Sequence, residues 1–193
     1  MDKKNINIVA ISMGSGGTEK TLYLILPLLI KNFNVNLILF NDVRHFAIPK
    51  EVNVYLLSKK KKDSFLNKVL SPFKFFFTYK KILNRTKPDI SISFLTRPNL
   101  LNTFINSCNT RIIISERCFP SIAYKSNSIR YWLYKILLPK YYNKADLLFS
   151  NSIYINNDLK QNFGVTIPMK VIYNPIKVNN NDEINSLIQR ILI

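Results

Sequence analysis

INIVAISMGSGGTEKTLYLILPLLI, residues 6–30, decides the fold class. Residues 6–13 are a β-rich apolar run, and residues 14–17 are Gly-Ser-Gly-Gly. From residue 18 the apolar positions fall at helical spacing, with Leu22, Ile25, Leu26 and Leu29 on one face. Strand, glycine turn and helix in that order open a βαβ unit. Working outward, residues 35–40 (VNLILF), 52–57 (VNVYLL), 89–95 (DISISFL), 111–115 (RIIIS), 145–150 (ADLLFS) and 169–173 (MKVIY) read as further strands. Helical patterns fall over 64–86, broken or kinked near Pro72, and from Pro98, a residue suited to a first helical position. Others cover 128–143, 153–163 with Gly164 as a stop, and 183–193; the 59–62 lysine run reads as a solvated loop. Strands too apolar to face water argue a parallel sheet covered on both faces. Right-handed crossovers then give an α/β, doubly wound, Rossmann-like and mostly parallel sheet of about six to seven strands. The expected division is a domain over 1–176, then a linker and the start of a further region over 177–193.

The 193 residues are 47% hydrophobic and 20% charged, enough for one domain with a proper core and too apolar for a disordered or collagen-like chain. No apolar run approaches the ~20 residues of a membrane span. The N-terminus carries no signal-peptide pattern, and Cys108 and Cys118 do not make a disulfide scaffold, so a cytoplasmic location is expected. Net charge is +17, from 28 Lys and Arg against 11 Asp and Glu. Such a field favours anionic partners, although a composition rich in Lys, Asn and Ile also follows from AT-rich coding.

Glycines at 14, 16 and 17 let a backbone approach a ligand, and the following helix start attracts phosphate or carboxylate. A Walker loop and a dinucleotide fingerprint each need a glycine where Glu19 stands. A P-loop-like nucleotide site therefore stays an alternative, beside a tight turn with no ligand. His45 is the single histidine and reads as a loop surface residue; no Cys/His spacing suggests a metal. The carboxyl ends of the strands, where doubly wound sheets bind ligands, carry Arg97 and Asn99, then Glu116 and Arg117, then Asn151 before the N-cap Ser152. Arginines offer planar donors to phosphate or carboxylate, and Glu116 an acceptor for hydroxyls. Two stretches interleave bases with aromatics: 66–83, with Lys74, Phe75, Lys80 and Lys81, and 130–144, with Arg130, Trp132 and Lys135. They suit a membrane interface, or are ordinary helices with rings in the core. A non-catalytic cationic module on membrane or nucleic acid is thus a further alternative; no RNA-binding motif appears, and no nucleic acid partner is expected.

In order along the chain, Gly16-Gly17-Thr18-Glu19-Lys20, Lys87-Pro88-Asp89 with the strand to Leu95, Ser115-Glu116-Arg117, Ala145-Asp146 through Ser152, and Val171-Ile172-Tyr173-Asn174-Pro175 resemble the N-terminal domain of family-4 glycosyltransferases of the GT-B fold. The resemblance covers residues 6–176 and implies sugar transfer from a nucleotide-sugar, with retention and without a metal. It further implies that this domain binds the acceptor, a glycan or glycolipid. Gly16, Gly17, Thr18 and Glu19 would then line the cleft, with Arg97, Asn99, Glu116, Arg117 and Asn151 near acceptor or donor. Members acting on lipid-linked acceptors dock on membranes through basic and aromatic helices, which assigns that role to Lys74, Phe75, Lys80, Lys81, Arg130, Trp132 and Lys135. The family's second domain, with its donor site and Glu-x7-Glu motif, would begin about where the sequence ends at Ile193. The expectation is an acceptor-side half, inactive alone: a truncated product, or one completed by a separate C-terminal-half chain. It has no cofactor beyond the nucleotide-sugar co-substrate and works at the inner face of the plasma membrane.

Overall fold

The computed structural model describes residues 3–58, 65–105, 109–124 and 128–174, the side chains of 65–72 excepted. The expected lysine loop, Cys108, the linker and the 183–193 helix lie outside the described residues. Seven strands, β1 (Lys4–Ala10), β2 (Phe33–Leu39), β3 (Asn53–Leu56), β4 (Ile90–Phe94), β5 (Arg111–Glu116), β6 (Leu147–Ser150) and β7 (Met169–Val171), form one sheet in the order β3-β2-β1-β4-β5-β6-β7. Every pair in it is parallel. The order reverses between β1 and β4, so the crevice of the fold opens at the carboxyl ends of those two strands.

Alternation along the strands divides the core. Ile6, Ile8 and Ala10 join Leu22, Ile25, Leu26 and Leu29 of α1 (Gly17–Asn32) on one face. Val9 and Ile38 face the other way, onto Tyr79, Ile82 and Leu83 of α2 (Phe65–Thr86). On that second face follow α3 (Thr96–Phe104), α5 (Ile129–Tyr142) and α6 (Ile153–Phe163), the last two packing Leu138, Tyr142, Leu159 and Phe163 on Ile112, Ile114 and Leu148. A polar ladder crosses the sheet within this core: Asn53 Nδ2 donates to Asn36 (3.2 Å), Asn36 Nδ2 to Asn7 (3.1 Å) and Asn7 Nδ2 to Thr86 Oγ1 (2.9 Å). The amides of Asn7 and Asn36 are buried and find these partners in this register, so the ladder favours it over a slipped pairing.

Beyond shifts of a residue or two at strand ends, the structure differs from the sequence reading in several places. β1 stops at Ala10 because residues 11–13 leave the sheet for the β2 loop, where the Met13 N–H donates to Val43 O (2.9 Å) and the His45 N–H to Met13 O (2.7 Å). α2 is continuous through Pro72. α3 starts at Thr96 because Leu95, at φ 75°, makes the turn; Pro98 is then its third residue, still in the first turn, where its missing N–H costs nothing. The four-residue α4 (Pro120–Ala123) is too short to show periodicity.

Gly164 ends α6 as the sequence indicates, at φ 62°. A Cβ there meets nothing closer than Pro139 Cβ at 3.7 Å, so backbone conformation alone decides the cost. Gly164→Ala is expected to destabilise by about 1 kcal/mol, lowering Tm by roughly 2–4 °C in calorimetry.

Candidate functional site

The rim at the carboxyl ends of the strands begins with the glycine turn. Gly16 caps α1 and has no side chain to accept from the first-turn N–H groups, which leaves them for a ligand. Glu19 folds back over the turn: Ser12 Oγ donates to its Oε1 at 3.4 Å, and a Cβ on Gly16 would stand 2.4 Å from its Oε2. Beside it Gly17 is exposed, with nothing within 4 Å of where its Cβ would be, and Thr18 is half-buried. A carboxylate against the turn is the wrong charge for a Walker phosphate cradle.

At the end of β4, Arg97 is exposed, its guanidinium 5.8 Å from the Phe40 ring centroid. Asn99 and Glu116, by contrast, lie beneath the rim with no exposed surface. Asn99 Nδ2 donates to Ser115 O (2.9 Å) and the Tyr142 hydroxyl oxygen (3.2 Å), and its Oδ1 accepts from Ser93 Oγ (2.8 Å). Glu116 accepts from Tyr142 OH (2.7 Å), Thr96 Oγ1 (3.0 Å), the Arg117 N–H (3.1 Å) and Cys118 Sγ (3.3 Å). Burial raises its carboxyl above the usual carboxylate range, and these four donors oppose the rise. Burial chiefly, and then Glu116, push the Cys118 thiol to about 12, so it stands as an unreactive, half-buried thiol.

Arg117 spans the end of β5. Its guanidinium lies 5.6 Å from the Phe94 centroid and 5.4 Å from the Phe149 centroid. Its Nε donates to Ser115 Oγ (2.9 Å) and its Nη1 to Asn174 Oδ1. Burial lowers its pKa to about 10 against the pull of Glu116, and it stays a cation at neutral pH. At the end of β6, Asn151 is half-buried, and its Oδ1 has no hydrogen-bond partner among the described residues. Ser152 is the N-cap, accepting from the Tyr154 N–H at 3.2 Å. The structure thus brings the glycine turn, Arg97, Arg117 and Asn151 to one rim, with Asn99 and Glu116 as its support. Tyr142, which with Thr96 holds Glu116, carries no signal in the sequence; it lies 26 residues from its partner.

The basic–aromatic helices flank α3 on one face. Lys74, Lys80 and Lys81 of α2 are exposed, whereas Phe75 is half-buried against Phe40 at 5.1 Å; among the described side chains of α2 the rings most open to solvent are Phe73 and Phe77. Arg130, Trp132 and Lys135 of α5 are exposed, with Lys135 Nζ 5.4 Å from the Trp132 centroid. His45 is exposed as expected. Among the described residues no helix is long and apolar enough to cross a membrane, and no group of three or more His, Cys, Asp or Glu is placed to hold a metal.

The sequence profile of Glycosyltransferase Family 4 matches residues 15–180. The chain belongs to that family. The Family 4 match contains every rim residue named above, from Gly16 to Asn151. One relative, 34% identical over 182 residues, is the N-acetylgalactosamine-N,N'-diacetylbacillosaminyl-diphospho-undecaprenol 4-alpha-N-acetylgalactosaminyltransferase of Campylobacter jejuni subsp. jejuni serotype O:2; the match covers 92% of this chain and 49% of the relative. A second from the same organism, GalNAc-alpha-(1->4)-GalNAc-alpha-(1->3)-diNAcBac-PP-undecaprenol alpha-1,4-N-acetyl-D-galactosaminyltransferase, is 27% identical over 187 residues, 96% of this chain and 50% of its own. The Family 4 chain therefore spans about half the length of the curated relatives it matches. Its fold is also that of the sucrose-phosphate synthase from Thermosynechococcus elongatus, with a TM-score of 0.66 at 11% identity over 89% of this chain and 48% of that one. The P-loop and non-catalytic alternatives find no support in these likenesses.

Proposed function

We propose that this chain is the acceptor-binding half of a retaining glycosyltransferase that moves a sugar from a nucleotide-sugar onto a lipid-diphosphate-linked saccharide. The observation that carries the reading is 34% identity, over 92% of this chain, to an enzyme named for a diphospho-undecaprenol acceptor. In this reading Arg117 receives negative charge at the cleft, and the glycine turn, with the Glu19 carboxylate beside it, faces the acceptor's hydroxyls. Nucleotide binding and transition-state stabilisation belong to a donor-binding domain, on the same or a separate chain, and no metal takes part. The exposed cations of α2 and α5 hold the protein at the inner face of the plasma membrane.

Saturation-transfer NMR on the 193-residue chain tests this. A methyl-capped N-acetylhexosamine diphosphate is expected to bind, with UDP and UDP-sugars weak or silent. Strong nucleotide binding without sugar-diphosphate binding overturns it. Gly16→Val is expected to weaken the sugar diphosphate more than tenfold, because the new side chain displaces Glu19 and crowds the helix start. The fold should tolerate it: at φ −78° and ψ 169° the backbone accepts any residue, and the clash falls on the far end of a flexible side chain. A melting temperature unchanged within about 2 °C checks that claim.

A further inference from the structure

The face that carries α2, α3 and α5 holds a cavity of about 590 Å³. Leu100, Leu101 and Phe104 of α3 line it along one side, the 73–77 turn of α2 along a second, and Leu137 and Tyr141 of α5 along a third. Phe40 and Arg97 line it at the carboxyl edge of the sheet. Tyr79, Ile82 and Leu83 of α2 are buried on the sheet, and in the aromatic turn before them Phe75 packs on Phe40 and Phe76 meets Phe104 edge-on, while Phe73 and Phe77 are left to solvent. Phe73, Phe77 and Phe104 are 68%, 66% and 51% exposed, and together they give the cavity an open aromatic rim.

Charge complementarity defines what fills it. Among the described residues Arg97 is the one charged residue of the lining, and none of them brings a carboxylate to it. The cations around it are Lys74, Lys80 and Lys81 on α2, and Lys140 and Lys144, whose Nζ atoms lie 5.7 and 5.0 Å from the Tyr141 centroid. A long apolar group joined to an anionic head matches this pattern. The eight residues from Arg97 to Phe104 run about 10 Å of helix, room for the first units of an extended chain. The strand before Arg97, β4, pairs with β1, so Arg97 stands one strand from the glycine turn.

We infer that this cavity takes the first isoprene units of a polyprenyl-diphosphate acceptor, with Arg97 on the phosphate nearest the tail; the inference rests on the acceptor reading above. The tail leaves the bilayer and enters the protein, and the diphosphate bridges from the cavity mouth to the sugar at the glycine turn. A ring-lined cavity suits a methyl-branched chain, whose methyl groups pack against ring faces and edges.

Isothermal titration of the 193-residue chain, without vesicles and below probe aggregation, tests this. The probes are geranyl, farnesyl and geranylgeranyl diphosphate, farnesol, dodecyl phosphate, inorganic pyrophosphate and the methyl-capped sugar diphosphate. Affinity is expected to rise about tenfold per isoprene unit added. Phe77→Asp and Phe104→Asp, at half-exposed positions that the fold tolerates, should flatten that dependence, with circular dichroism confirming folding. Arg97→Gln should weaken every diphosphate about tenfold and preserve the ratio between farnesyl and geranylgeranyl diphosphate. Affinity independent of chain length overturns the inference and assigns the cavity to a segment of this chain or to a protein partner. A dodecyl phosphate that binds as tightly as farnesyl diphosphate overturns the isoprenoid assignment. If the sugar diphosphate binds and the tails add nothing, the tail site falls and the acceptor reading stands. If the tails bind and the sugar diphosphate does not, the acceptor reading falls.

Discussion

Phe149→Ala is expected to destabilise the domain by about 3–5 kcal/mol, the largest effect of any single change considered. Phe149 is 1% exposed, at the middle of β6, and meets Phe94 edge-on with ring centroids 5.8 Å apart. Its loss removes the transfer free energy of a whole ring and leaves a cavity on the sheet face beside Phe94, where the paired strands β5, β6 and β7 restrict how far the backbone can move to fill it. For a domain of this size the melting temperature should fall by roughly 6–20 °C. The ring is also one of the two platforms under Arg117, so the variant should loosen the link from Arg117 to Asn174. Phe149→Leu, which refills most of the volume, should recover more than half of the loss. A fall below about 3 °C for the alanine variant would show that the core collapses into the gap instead.

Glu116→Ala is expected to cost about 3 kcal/mol, and its origin differs. Four donors lose their acceptor at once, among them the Arg117 N–H, which cannot turn to another partner as a hydroxyl can. Glu116→Gln separates charge from hydrogen bonding. An amide nitrogen in place of Oε2 faces the hydroxyls of Thr96 and Tyr142, each able to accept, while Oε1 keeps its own two donors. The folded pKa of Glu116 lies above its unfolded value near 4.5, so the folded chain binds the proton more readily than the unfolded one. Its contribution is therefore fully present below about pH 4.5 and is lost as pH rises through the folded pKa. Melting wild type and Glu116→Gln across that range should show wild type losing ground steadily as pH increases. A difference that stays flat with pH would mean that Glu116 keeps an ordinary carboxyl.

The strands and their order in the chain were legible because apolar runs bounded by Gly, Pro and Asn carry their own signal; Gly164 marked the end of α6 for the same local reason. The start of α3 was not legible, since it depends on Leu95 adopting a left-handed conformation that its sequence does not favour. The rim was half legible. Position at a strand end picked out Arg97, Asn99, Glu116, Arg117 and Asn151, but whether a side chain rises into the crevice or drops beneath it depends on contacts from distant elements. Asn99 and Glu116 drop because Tyr142 of α5 and Ser93 of β4 wait for them. The two basic–aromatic stretches were visible as patterns. That they border one cavity follows from the sheet order, which sets α2, α3 and α5 side by side, and no spacing within either stretch carries that information.

The position of β1 at the centre of the sheet has a consequence for synthesis on the ribosome. Its first neighbour, β2, is complete at residue 39, but its second, β4, is complete only at residue 94. With β3 complete at residue 56 and synthesis at about 5–20 residues per second, the nascent chain carries a three-stranded leaf with one bare apolar edge for roughly 2–8 s. The asparagine ladder then gains a second meaning: it gives that unfinished leaf a polar seam, which disfavours the out-of-register pairing with other nascent chains that an all-aliphatic seam would invite.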